Sequence, residues 1–269
     1  MSENLEKYQK IGALLESYLR PQTFPIAIKL IKNVSEIPPE SKRPKRDLKV
    51  QTFLCQIFKM ARSYGWTLAV LEEDCVCKVA RIVYRWDKLT EDYINFANKF
   101  VVSLYAQDVE TAQKWAEQLN YVGPQYIGLV ISPLTRTKII PDIVQVYCNP
   151  AQAMRLIQAY LYFKGGIMEF GAFGRGGSCH EGVIKTLQMD EPQLIILGNG
   201  DRVWGGAEDN EIMFSIPRNK LDLIIKGLKE THNAGLRYPI PKYMNYLPGF
   251  QPKFQKKAIE RADGTIVKQ

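Results

Sequence analysis

The sequence predicts an α/β fold: a mixed β-sheet with helices on both faces, in one compact domain. Three observations carry this. Short β-branched or apolar runs alternate with stretches whose apolar residues recur every three or four positions. Turn formers and helix caps punctuate the two kinds of stretch. The chain has 269 residues, 46% of them hydrophobic, enough for a sizeable core. The domain is expected over residues 1–235. Residues 236–269, rich in Pro, Lys and aromatics, read as a tail that packs on the surface or on another subunit of a homo-oligomer.

The elements follow in order. Leu5, Tyr8, Ile11, Leu15, Tyr18 and Leu19 share a helix face over residues 3–19, and Pro21 stops that helix. Residues 24–31 alternate as a strand. Residues 32–49 read as a loop, since Pro38, Pro39 and Pro44 oppose a regular element. Helical spacing returns at 51–64 and ends at Gly65, a strand follows at 66–71, and a helix runs from Cys77 through Arg85. Two helices are expected at 90–101 and 108–119, the second capped by Asp108. The apolar runs 126–131 and 143–148 predict central strands. Asn149 before Pro150 is a helix start, with the helix running to Phe163. A strand at 167–173 then leads into a glycine-rich loop and a short helix from Ser178. Strands at 194–197 and 212–216 flank a second glycine turn at 198–201. Pro217 opens a last amphipathic helix through Leu221, Ile224, Ile225 and Leu228.

Composition narrows the function. The net charge of +8 admits acidic ligands as partners. Lys42, Arg43, Lys45, Arg46 and Lys49 crowd one loop, readable as a clamp for an anionic partner or as a solvated surface. They are interleaved with proline rather than with stacking aromatics, so nucleic acid is not an expected partner. The polar N-terminus lacks the apolar stretch of a signal peptide, and no window approaches 18 apolar residues, so a cytoplasmic protein without a membrane partner is expected. Five cysteines in such a chain suggest thiols, ligands or core residues rather than disulfides.

Chemistry concentrates at 174–179. Gly174, Gly176 and Gly177 surround Arg175 between a predicted strand and a predicted helix. Free N–H groups at such a helix start hold anions, and Arg175 adds a charged contact. Gly174, Arg175, Gly176, Gly177 and Ser178 are therefore candidate ligand-binding residues, with Arg155 and Arg202 as further counter-charges. A thiol at a helix start, as at Cys179, has its thiolate favoured. Cys75-Val-Cys77 has one intervening residue, so it is neither a zinc ribbon nor a redox CxxC. With Cys55 and Cys179 it offers four thiols from three places, enough for a cluster or a zinc ion, or else simply core residues. Cys148 reads as core.

Asn149-Pro-Ala-Gln-Ala-Met-Arg-Leu-Ile-Gln-Ala159, followed by Gly174-Arg-Gly-Gly-Ser-Cys179, resembles the domain-of-unknown-function family 169, proteins of anaerobic archaea and bacteria with no settled activity. Pro25-Ile-Ala-Ile-Lys29, Cys55-Gln56, Glu73-Asp74-Cys75 and Ser132-Pro133 fit its pattern in the same order. The resemblance implies a cysteine-lined site at Cys55, Cys75 and Cys179. The chain departs from the family in lacking cysteines at 198–202 and in having Cys77 where glycine is usual. The expectation is then an iron–sulfur or related redox-cofactor protein, with Cys55, Cys75, Cys77 and Cys179 as metal ligands of a [4Fe-4S] cluster. Haem, zinc or no cofactor are the alternatives. The rival readings are a metal-free enzyme or binding protein holding an anionic small molecule on the 174–179 loop, and a partner protein bound through the basic loop and tail.

Overall fold

The computed structural model describes residues 2–88, 90, 91, 95 and 99–240. Its frame is a six-stranded sheet in the order β2-β3-β1-β4-β6-β5. These are β1 (Ile26–Ile31), β2 (Leu68–Leu71), β3 (Gly128–Pro133), β4 (Ile143–Cys148), β5 (Gln193–Ile195) and β6 (Ile212–Pro217). Every pairing between them is antiparallel, with Ile28 of β1 set between Ile131 of β3 and Ile143 of β4. The α/β fold with helices on both faces is as expected, but the sheet expected to be mixed is antiparallel in all its named pairings, since apolar runs report burial on both faces and not strand sense. Parallel contacts are confined, among the described residues, to isolated bridges such as Lys42–Leu68 and Thr52–Cys75.

Side chains alternate across the sheet and build two cores. On one face Ala27, Ile31, Val144, Val146, Phe214 and Ile216 pack under helices Ser2–Leu19, Pro150–Lys164 and Leu221–Asn233. On the other, Ile28, Leu68, Ile131, Ile143, Tyr147 and Met213 pack under Leu54–Lys59, Lys78–Val83 and the segment Gly177–Lys185. Helices thus cover both faces.

Several helices differ from α geometry. Residues Met60–Tyr64 and Gly177–Lys185 are π-helical, a wider coil that periodicity alone does not distinguish from an α-helix. The basic stretch also holds a π turn, Pro44–Leu48, with Pro44 at the first position, where a missing N–H costs nothing. Asn149 does cap its helix, accepting from the Gln152 N–H at 2.9 Å, and Asp108 accepts from the Thr111 N–H at 2.8 Å.

The strand expected at 167–173 is not formed. Gly165 and Gly166, at φ 69° and 72°, turn the chain out of the preceding helix. The segment then crosses from one face of the sheet to the other, leaving Ile167 75% exposed. The second glycine turn is a short helix, Asn199–Val203. Part of the helix expected at 90–101, and the tail from residue 241, lie outside the described residues.

Gly227 lets two helices touch backbone to backbone. A Cβ there would stand 1.9 Å from the carbonyl oxygen of Ala159. Gly227→Ala is therefore expected to lower stability by about 1–3 kcal/mol through overpacking, read as a shifted urea midpoint at unchanged slope.

Candidate functional site

The cysteine-bearing face is assembled from three segments. Cys55 lies in the first turn of Leu54–Lys59, Cys77 caps Lys78–Val83, and Cys179 is the third residue of the Gly177–Lys185 π-helix. All three sulfurs therefore lie at helix starts, where backbone N–H groups have no partner within the helix. The N–H groups of Cys55 and Gln56 pull the pKa of the Cys55 thiol down, and those of Val79 and Ala80 do the same for Cys77, although the Cys77 side chain makes no capping hydrogen bond. The Cys77 N–H reaches the Cys75 sulfur.

The structure brings all four predicted thiols into one neighbourhood. Burial pushes the Cys179 thiol far above its usual range, and negative charge on Cys77, Asp201, Cys55 and Cys75 adds to the shift. Cys75 is pushed up to about 12, by burial and then by Cys77. Burial raises Cys55, and Asp201 and Cys77 raise it further. Burial also raises Cys77, against the pull of its N–H donors. Cys148 lies in the core on the opposite side of the sheet. Among the described residues, no three His, Cys, Asp or Glu side chains are arranged to hold a single ion.

The turn that carries Cys75 is fixed from both sides. Asp74, fully buried, accepts from Arg43 Nε at 2.9 Å and Nη2 at 2.7 Å, and from the N–H groups of Lys45 and Leu71. Arg81 donates to the carbonyls of Glu72 and Cys75 and to Asp87. The basic stretch is therefore partly spent inside the molecule: Arg43 on Asp74 and Glu73, Arg46 on Asp47. Arg43 is thereby committed within the fold, whereas Arg46 stays exposed beside its neighbour Asp47. Nothing in the sequence pairs Arg43 with Asp74, 31 residues away.

The two glycine turns meet. A Cβ on Gly198 would stand 2.6 Å from the Arg175 Cα, and one on Gly177 would stand 2.9 Å from Asp201 Oδ2. Asp201 is buried and accepts from the Ser178 hydroxyl and from the N–H groups of Gly177, Ser178 and Gly198. The N–H groups of Gly177 and Ser178, expected to hold an anionic ligand, thus face the chain's own carboxylate. Arg175 is buried between rings, its guanidinium carbon 3.2 Å from the Trp115 centroid and 4.7 Å from that of Tyr105. Burial lowers its pKa to about 10.

The other two arginines lie elsewhere. Arg155 sits on the opposite face of the sheet, donating to Gln158 and Thr231 at 2.8 Å. Arg202 donates to the carbonyls of Glu208 and Glu211 and so holds the turn after its own helix. Neither side chain joins the glycine loop.

His180 and Glu181, next to Cys179, are buried. His180 Nε2 accepts from the Asn120 N–H at 2.9 Å, and burial lowers its pKa to about 4. Glu181 is raised to about 7 by burial, and its Oε2 has no hydrogen-bond partner. Sequence reasoning also missed Arg62, whose buried guanidinium pairs with Glu211 at 2.9 Å and lies 4.1 Å from the Tyr147 ring centroid.

The thiols of metal-free protein are expected to resist alkylation. At pH 8 an ordinary thiol, of pKa about 8.5, is roughly a quarter thiolate. Cys75, pushed up to about 12, is ionised roughly a thousandfold less. Iodoacetamide labelling followed by mass spectrometry is expected to mark Cys75 slowly in the fold and fast in urea. Equal rates in both states would contradict the burial.

Comparison with known proteins identifies the chain at the level of family. An uncharacterised protein of Methanocaldococcus jannaschii is 26% identical over 216 residues, covering 80% of this chain and 91% of that one. No solved structure matches. The family model described as DUF169, uncharacterised ArCR, matches residues 14–227, and the chain belongs to that family.

Proposed function

We propose that the protein carries an iron–sulfur-type cluster in a redox role, with Cys55, Cys75, Cys77 and Cys179 as its ligands. The observation behind this reading is the gathering of four thiols from three segments on one face, each raised in pKa by burial first, with Cys55, Cys75 and Cys179 raised further by neighbouring thiols. Four thiols in mutual range, Cys75 and Cys179 buried and Cys55 and Cys77 half-buried, are held protonated when only the protein surrounds them. A polynuclear cation supplies the positive charge that turns such a set into thiolates, and soft thiolate donors select iron–sulfur centres.

One further feature favours the reading. Backbone N–H groups close to sulfur stabilise thiolate charge and tune cluster potentials. Among the described residues no three His, Cys, Asp or Glu side chains are placed to share a single ion, so the reading requires the wider ligand spacing of a cluster, against bonds to sulfur near 2.3 Å for one ion. The reading of a metal-free anion site on the 174–179 loop draws less support, because Asp201 already occupies the N–H groups it needs.

Protein purified without oxygen is expected to contain iron and acid-labile sulfide. Cys55→Ser, Cys75→Ser and Cys179→Ser are each expected to lose most of both, while Cys148→Ser retains them. Iron retained in all three variants, or no iron in the unaltered protein, would overturn the proposal.

A further inference from the structure

A second site stands apart from the cysteines. A cleft of about 460 Å³ opens between the end of helix Ser2–Leu19 and the Met60–Tyr64 turn, lined by Glu16, Arg20, Gln22, Thr23, Arg62 and Ser63 among others. Its volume is that of a small-molecule pocket.

The walls are locked in place. Arg20 occupies the left-handed position that ends its helix, φ 50°, where glycine is the usual residue. The carbonyls of Leu19 and Arg20 are both held by Gln152 Nε2, at 2.9 and 3.0 Å. The Phe24 N–H donates to the Arg62 carbonyl at 2.9 Å, tying the two walls together.

Three donors there lack acceptors in the protein, two of them buried and the third, on Arg20, exposed. The Arg20 guanidinium has no hydrogen-bond or ion-pair partner among the described residues. Arg62 is 1% exposed, and its Nε has no partner although its other nitrogens do. The Ser63 hydroxyl oxygen is also buried and unpartnered. Buried donors without acceptors are costly in a fold, and an oxyanion is the acceptor that satisfies several at once. Glu16 is the one acidic side chain in the lining, and the charge of Arg136 bears on it.

We propose that this cleft binds the oxyanion group, carboxylate or phosphate, of a small molecule, with Arg20 as the charged contact and Ser63 and Arg62 Nε as further donors. The cleft and the cysteine site share one wall. Arg62 Nη2 takes the Gly205 and Gly206 carbonyls from one side, while a Cβ on Gly205 would stand 3.2 Å from the Cys55 Cβ.

The test is calorimetric titration of the full-length protein with succinate and, separately, with inorganic phosphate. Saturable binding of at least one is expected, and the stronger of the two identifies the oxyanion class. Arg20→Ala and Ser63→Ala are each expected to weaken it about tenfold, as loss of a hydrogen bond to a charged group does. Glu16→Gln removes a repelling charge and is expected to tighten binding severalfold, whereas Arg175→Ala leaves it unchanged. Circular dichroism of each variant checks that it is folded. The proposal is overturned if neither anion binds saturably, or if folded Arg20→Ala binds as tightly as the unaltered protein.

Discussion

The carboxylate of Asp201 is the contact on which the cysteine face depends. It is buried, and it receives the N–H groups at the start of the π-helix that carries Cys179, together with the Ser178 hydroxyl. Through the Gly198 N–H it also holds its own turn closed. One side chain therefore fixes the two glycine turns against each other. The glycines make this approach feasible, since a Cβ on Gly177 would collide with the carboxylate itself. Burial raises the pKa of Asp201, and the four donors oppose that rise without cancelling it.

A second buried pair does the same for the facing segment. Arg43 closes on Asp74, and the backbone around Asp74 carries Cys75 next to Thr52, three residues before Cys55. A third pair, Arg62 with Glu211, anchors the turn that lies on Cys55. Removing one partner of such a pair leaves an uncompensated charge, at a cost of roughly 3–5 kcal/mol. All three latches are polar and internal, and each borders a segment that bears a cysteine. The thiols themselves form no ion pair or buried latch of this kind among the described residues. Their positions are consequences of the latches and of the apolar core beneath, where the Tyr84 hydroxyl donates to the Cys179 carbonyl at 3.0 Å.

Much of this was legible in the sequence. Short apolar runs, alternating at 24–31, gave five of the six strands to within a few residues, and β4 at its bounds, because strands buried on both faces leave continuous apolar stretches. Asn149 with Pro150 marked a helix start because capping is local chemistry. The candidate set Cys55, Cys75 and Cys179 came from family resemblance rather than from spacing, and the mutual influence of these thiols is seen only in the fold. What escaped was long-range or a matter of backbone geometry. The π-helices carry the same apolar periodicity as α-helices over so few residues. Segment 167–173 has the composition of a strand, but the glycine pair before it sends it around the sheet. The glycine loop looked like an anion site because its N–H groups are free within the loop. That Asp201, 23 residues on, would fill it could be seen only in the fold.

X-ray absorption at the iron edge, on protein isolated without oxygen, tests the account most directly. Four sulfur neighbours per iron at about 2.3 Å, with a further shell of iron, is the predicted signature of a thiolate-bound cluster. Iron bound mainly by oxygen or nitrogen, or no iron at all, would contradict it.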